Sequence, residues 1–264
     1  MKIKGRGYIS AEAQGAAEKL LSPHVAIFTK LDELIEELIE FCSYQAVSGQ
    51  KTDAEKQQII ALAVVARIVE ISQAASLVMR HGMGNEANSL FRVFLDAYFV
   101  FGNVCSDPKF VPKYFSSDEQ ARLTLMNVSL QHKSGILAKL HQYARTARDA
   151  LRAKINAQNI ERRKSETYAK NIGCQEIYDS MFRVSSSAIH SSPRSLAHYV
   201  EETEKGEIQT IHMQPRIQDI PQSAYDFSVF LINVYSGITE LFGKHDPKDI
   251  SERKKILDKL VVKA

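Results

Sequence analysis

The stretch Leu31-Asp-Glu-Leu-Ile-Glu-Glu-Leu-Ile-Glu-Phe-Cys42 decides the fold class. Its apolar residues, Leu31, Leu34, Ile35, Leu38, Ile39 and Cys42, recur at three- and four-residue steps, the period of a helix with one buried side. The acids between them, Asp32, Glu33, Glu36, Glu37 and Glu40, fall on the other side and predict a solvated face with no metal cluster. Upstream, Ser22-Pro23 reads as an N-cap followed by proline at the first helical position. Gly49 reads as the stop.

The same period continues on either side of short breaks. Asp53 opens a helix through Ile59, Leu62, Ala63, Val65, Ala66 and Val69 that stops near Gly82, and a third covers Asn85 to Ser106, closed by Asp107-Pro108. Ser117 and Gln120 have capping-box spacing and open a long helix through Leu125, Val128 and Leu137. Helical signal continues past Tyr143 and Leu151 to about Lys170, and Gly173 breaks it. A helix carrying Arg183 and His190 follows, and Ser192-Pro193 restarts a short one to about Tyr199.

Glu201 to Ile220 differs in kind. It is polar, holds Gly206 and Pro215, and alternates through Glu207-Ile-Gln-Thr-Ile-His-Met213, which predicts a small hairpin or loop near 205–215. Ser223 to Gly243 is helical again, and a charged helix follows Asp246-Pro247. Only 12 Gly and 7 Pro in 264 residues leave too few turns for an all-β fold. The prediction is an all-α, multi-helix antiparallel bundle built from 23–106, 117–145, 175–190 and 223–243. Residues 1–50 pack on a main domain at 51–245, and 246–264 form a charged C-terminal helix.

At 44% hydrophobic and 25% charged the composition is that of a soluble globular protein, and the net charge of +3 is compatible with a polyanionic partner. Cys42, Cys105 and Cys174 show neither metal-binding spacing nor a complete disulfide set, which suits a reducing cytoplasm. The basic N-terminus lacks an apolar run, and Leu90 to Phe101, interrupted by Arg92 and Asp96, is too short to span a bilayer, so no membrane partner is expected. No phosphate-loop, dinucleotide, zinc-protease or serine-hydrolase spacing occurs. The histidines are isolated (His132 and His141 lie nine apart), so neither metal nor cofactor is expected.

Three constellations remain. Arg183 and His190 are seven residues apart, so on a helix they project from one face with about 10 Å of rise between them. Ser186 and Ser187 fall between them on that face, and the Ser191–Pro193 break limits the helix. An imidazole suits acid/base work near neutrality, and a guanidinium suits the charge of a phosphorane. Together they fit metal-independent cleavage of RNA through the 2′-hydroxyl; an arginine and histidine bonded within a helix junction would have the same spacing. Second, Asn85, Asn88, Arg92, Asp96 and Asn103 share a face of the most apolar helix. Arg92–Asp96 would be either a buried pair fixing helix register or a second cation, oriented by its acid, beside the His190 helix. Third, eight Lys and Arg against three Asp and Glu lie between Arg145 and Lys170, a phosphate-tracking surface or a plain solvated face.

Asn85 to Tyr98 followed by Asp107-Pro108, and Tyr178 to Leu196 with its Ser187-Ala-Ile-His190-Ser-Ser-Pro-Arg-Ser-Leu196, resemble the two signatures of domain of unknown function 5677. The resemblance runs over roughly 55 to 245. A broader similarity is to the HEPN superfamily of helical proteins, whose ribonucleases carry an arginine, a polar residue and then a histidine near a helix end. Arg183 and His190 match its first and last positions; Val184 stands in the polar slot, a departure that bears on catalysis and not on the fold. The resemblance implies a homodimer and an endoribonuclease, of the toxin or antiviral-effector kind. His190 would be the base or acid and Arg183 the transition-state cation, with Ser186, Ser187, Arg194, Arg92 and Asp96 in support. The other expectation is a non-catalytic helical module that engages a protein partner through the same segment.

Overall fold

The computed structural model of the chain describes residues 2–5, 7–46, 52–132, 134–190 and 192–261; Gly49 and Ser191, both used above as helix stops, lie outside them. It is the expected all-α, multi-helix bundle. Helices α1 (Ala11–Leu21), α2 (Val25–Ser43), α3 (Asp53–Arg80), α4 (Gly84–Ser106), α5 (Phe110–Ser129), α6 (Ala138–Ala157) and α7 (Ser165–Asn171) come first. Then follow α8 (Gln175–Ile177), a π-helical turn (Tyr178–Phe182), α9 (Arg183–Ile189), α10 (Pro193–Leu196), α11 (Ile220–Leu241) and α12 (Pro247–Val261).

The apolar side of the opening stretch is buried as its period demands: Leu31, Leu34 and Leu38 are essentially inaccessible, while Ile39 at its margin is 40% exposed. They join one core with Ile68 and Met79 of α3, Phe94 and Phe99 of α4, Phe227 and Leu231 of α11 and Leu257 of α12, so both chain ends pack into the same interior. The acidic side is only partly solvated. Asp32 accepts from Arg80 at 2.5 Å and from Ser76 at 3.0 Å, and Glu37 pairs with Arg253, so two of those acids clamp α2 to α3 and α12.

α3 and α4 run antiparallel. Gln57, at the start of α3, donates to the carbonyls of Val104 at 2.6 Å and Cys105 at 3.2 Å, at the end of α4. The last turn of any helix leaves its carbonyls without intrahelical donors, and this buried amide supplies two of them. Gln57→Leu keeps the volume and strips both bonds, so it should destabilise the protein by about 1–3 kcal/mol in urea titration. A loss under about 0.5 kcal/mol, the range of a neutral surface change, would contradict that reading.

α11 runs beside α4 in the same direction, against the antiparallel expectation. Ser223 lies by Asn88, the Phe227 ring is 5.0 Å from that of Phe91, and Gly237 sits against Phe101. The long excursion between Asp107 and Asp219 returns the chain to the same end of the bundle. α3 is long and apolar enough to cross a membrane by length and composition, but its Val65, Ile68, Ile71 and Met79 are buried in this core.

Several boundaries differ from expectation. The Ser22 hydroxyl donates back to Lys19, and Ser22–His24 forms a 3-10 turn after α1, so Pro23 precedes α2 without starting it. Ser117 lies inside α5, which opens at Phe110; Asp107 Oδ1 accepts from the Lys109 N–H at 2.8 Å, and Pro112 needs no donor in the first turn. The long helix past Leu137 is broken twice. Gly135–Leu137 is a 3-10 turn, and α6 ends where Asn159 takes φ +48° and the Ile160 N–H bonds to the Ile155 carbonyl at 3.0 Å. That is a Schellman end with asparagine in the left-handed position. Ile160 then joins Met126, Ala144, Leu151 and Ile155 in a small second core between α5 and α6.

The polar segment holds a hairpin, β2 (Val200–Glu202) antiparallel to β3 (Ile208–His212), with Gly206 at φ +78° in its turn. A third strand, β1 (Lys2–Lys4), adds in parallel to β3, with Lys2 opposite Thr210 and Lys4 opposite His212.

Candidate functional site

Gly173, at φ +72°, ends α7 and turns the chain into α8. From Gln175 to Ile189 the helix is continuous but contains the π turn at Tyr178–Phe182, a one-residue insertion of the kind found at functional sites. Phe182 is buried against Phe99, with ring centroids 5.6 Å apart, which fixes α9 on α4. Gly102 leaves room for this corner, since a Cβ there would stand 2.6 Å from Ile172 Cδ1.

On that frame, Arg183 begins α9 and His190 caps its C-terminus, and both are exposed. The guanidinium is not idle. Arg183 Nε donates to Asp179 Oδ1 at 3.1 Å, and its centre stands 5.2 Å from the Tyr178 ring. The His190 ring has no partner among the described residues. Arg194, at the start of α10, is likewise exposed and unpaired among them. Asp179 was legible: an acid four residues before an arginine is the favourable order for a helical ion pair.

The two serines between Arg183 and His190 turn inward to their own helix. Ser186 donates to the Phe182 carbonyl and Ser187 to the Val184 carbonyl, both at 2.8 Å. A hydroxyl has one proton, so neither has it free for a phosphate as they stand. Ser186 has a different role: its oxygen accepts from Arg92 Nε at 3.1 Å. Arg92 reaches across from α4 with its guanidinium 3.4 Å from the centre of the Phe182 ring. Burial pulls its pKa below the usual arginine value, against the opposing pull of Asp96.

Arg92 and Asp96 do not form a direct pair among the described residues. Asp96 accepts instead from Arg163 and, at 2.5 Å, from Ser165, at the entry to α7. Arginine before acid is the weaker helical order, and the two cross-chain donors win the carboxylate. The polar face of α4 is therefore a bridge. Arg92 holds α9, Asp96 holds the segment before α7, and Asn103 donates to the Tyr168 carbonyl at 2.8 Å and accepts from Asn171 at 3.1 Å.

The main concavities of the described residues lie elsewhere. One of about 440 Å³ is lined by Gln14, Glu18, Phe28, Arg80 and His81, and another of about 160 Å³ by Tyr8, Gly82, Glu86, His198, Tyr199 and Arg216. Arg183 and His190 stand on open surface. Nucleophilic thiol chemistry is disfavoured: burial raises Cys42 to about 11 and Cys105 to about 12, and raises Cys174 as well. Among the described residues no three His, Cys, Asp or Glu side chains are grouped to hold a metal ion.

The model of a family of unknown function, DUF5677, matches residues 58–208. The chain belongs to DUF5677. Neither a curated protein nor a solved structure matches it. The DUF5677 segment starts in α3, takes in α4 and α9, and ends at the first residue of β3. It stops short of the reach to about 245 read from the sequence, so α11, which covers α4, lies outside it. Within it, the two signature stretches meet at Arg92–Ser186.

Proposed function

We propose that the Arg183–His190 end of α9 is the active face of a metal-independent endoribonuclease of HEPN type, completed by a second copy of the chain. One observation carries this reading: both groups are exposed at the two ends of α9, and the imidazole has no described partner to occupy it. Arg92, anchored on Ser186, adds a second guanidinium close to the face.

The chemistry follows from those groups. The His190 imidazole takes the proton of a ribose 2′-hydroxyl, whose oxygen bonds to the adjacent phosphorus. Arg183 donates N–H groups to the non-bridging oxygens as charge gathers there. The bond from phosphorus to the 5′-oxygen breaks, and that oxygen takes a proton from the His190 imidazolium of the other copy. The products are a 2′,3′-cyclic phosphate and a 5′-hydroxyl. Arg194 adds a phosphate contact, and Asp179 holds the guanidinium until substrate displaces it. A toxin or antiviral effector is the setting that the HEPN resemblance implies.

A second reading also has an observation behind it. Arg183 is already engaged by Asp179 and Tyr178, and no concavity of the monomer encloses the pair, as suits a non-catalytic module docking a protein partner. Incubating the purified chain with mixed RNA in excess chelator, and mapping the fragment ends, separates the two. Cyclic-phosphate and 5′-hydroxyl ends support the enzyme; intact RNA leaves the module.

A further inference from the structure

We infer that the arginine flank of α6, continued through Arg162 and Lys164, is a docking track for the phosphate backbone of single-stranded RNA that leads to the α9 face. The choice of RNA rests on the ribonuclease reading; the track itself rests on charge and continuity.

Charge in this protein is localised. Residues 145–170 hold eight Lys and Arg against three Asp and Glu, a net of +5; the whole chain carries +3, so the other residues are net −2. On α6, Ala144, Leu151 and Ile155 are buried on the α5 side, which sets Arg145, Arg148 and Arg152 along one flank at helical spacing. Arg148 is paired with its neighbour Asp149. Arg145 and Arg152 are exposed and unpaired among the described residues. Lys154, on the opposite flank, is taken by Glu119 at 2.9 Å.

The track has a direction. Past the left-handed Asn159 the chain presents Arg162, Arg163 and Lys164 in succession. Arg163 is spent on Asp96, which neutralises that carboxylate and pins the segment to α4, while Arg162 and Lys164 stay exposed without a described partner. Asp96 is one helical turn from Arg92, and Arg92 is bonded to Ser186, between Arg183 and His190. Bonded contacts thus join the basic segment to the candidate site through α4. A polyanion bound along the flank meets successive free cations and reaches the α9 end without passing an unpaired acid of α4, because Asp96 is the acid that lies there.

Equilibrium anisotropy with a labelled single-stranded RNA tests this, using the full chain with His190→Ala so that the probe survives. Log affinity should fall linearly with log salt, at about 0.7 per phosphate neutralised on a single strand. Arg145→Gln with Arg152→Gln should lower that slope by about 1.4 and weaken binding about tenfold or more near 0.1 M salt. Lys254→Gln with Lys255→Gln, two exposed cations of α12, should change neither. Equal effects of the two pairs, or a slope indifferent to both, overturns the track. Duplex DNA bound as tightly as the RNA, and weakened equally by the α6 pair, overturns the assignment to RNA. Cleavage by the wild type is read separately: salt-dependent binding without cleavage removes the enzyme and keeps the track, whereas cleavage undiminished in the α6 pair at limiting RNA does the reverse.

Discussion

His190→Ala should lower metal-free RNA cleavage by about 10²–10⁴-fold, the usual contribution of a positioned general acid or base. The melting temperature should move by no more than about 1–2 °C, since an exposed change without a partner is worth within about 0.5 kcal/mol in a chain of this size. The pairing of those two results is what makes the test sharp. His190 is exposed and caps α9, and no described bond is lost with its ring. A rate drop at constant stability therefore reports chemistry and not folding. Identical cleavage by both proteins would assign the activity to a contaminant and end the enzyme reading.

The largest expected stability effect lies in the core. Phe94→Ala should cost about 3–5 kcal/mol in urea unfolding, with the slope of the transition unchanged. Phe94 is fully buried, with its ring 5.0 Å from Phe227 and about 6 Å from those of Phe91 and Phe230, so the cavity would open between α4 and α11. Because helices from both chain ends share that core, the unfolding should remain a single transition. Phe115→Ala, a ring already 55% exposed, should cost less than about 0.5 kcal/mol. A Phe94 loss under about 1 kcal/mol would mean that α11 does not cover α4 as described.

What the sequence made legible was governed by period. The spacing of Leu31, Leu34 and Leu38 needs only local geometry, and those residues are buried. Ser192 as the cap of α10 is equally local: its hydroxyl accepts from the Ser195 N–H at 3.3 Å. The misreadings have other physical sources. Ser22 and Ser117 have capping chemistry, but each hydroxyl found a carbonyl of the preceding turn. Asn159 ends α6 in a conformation that asparagine tolerates and few other side chains do, a cue overlooked because only glycines were read as stops. The pairing of Lys2–Lys4 with Thr210–His212 joins the two ends of the chain, and no local pattern encodes it.

The candidate site was half legible for the same reason. Arg183 and His190 are related by helical spacing alone, and the structure keeps them exposed at the two ends of α9. Arg92 met Ser186 across 94 positions, and Asp96 took Arg163 across 67. Those partners were chosen by the packing of α4 against α9 and α7, which the sequence of either element does not contain.

The π turn at Tyr178–Phe182 carries one residue more than an α-helical turn would use. It works as a phase shifter between Gln175 and Ile189. Losing a single codon there would let the helix wind evenly and swing everything downstream by about 100°. Ser186 would leave Arg92, and the guanidinium and imidazole would turn to a new compass bearing with hardly any change in the interior. The smallest possible deletion thus separates the scaffold from its working face.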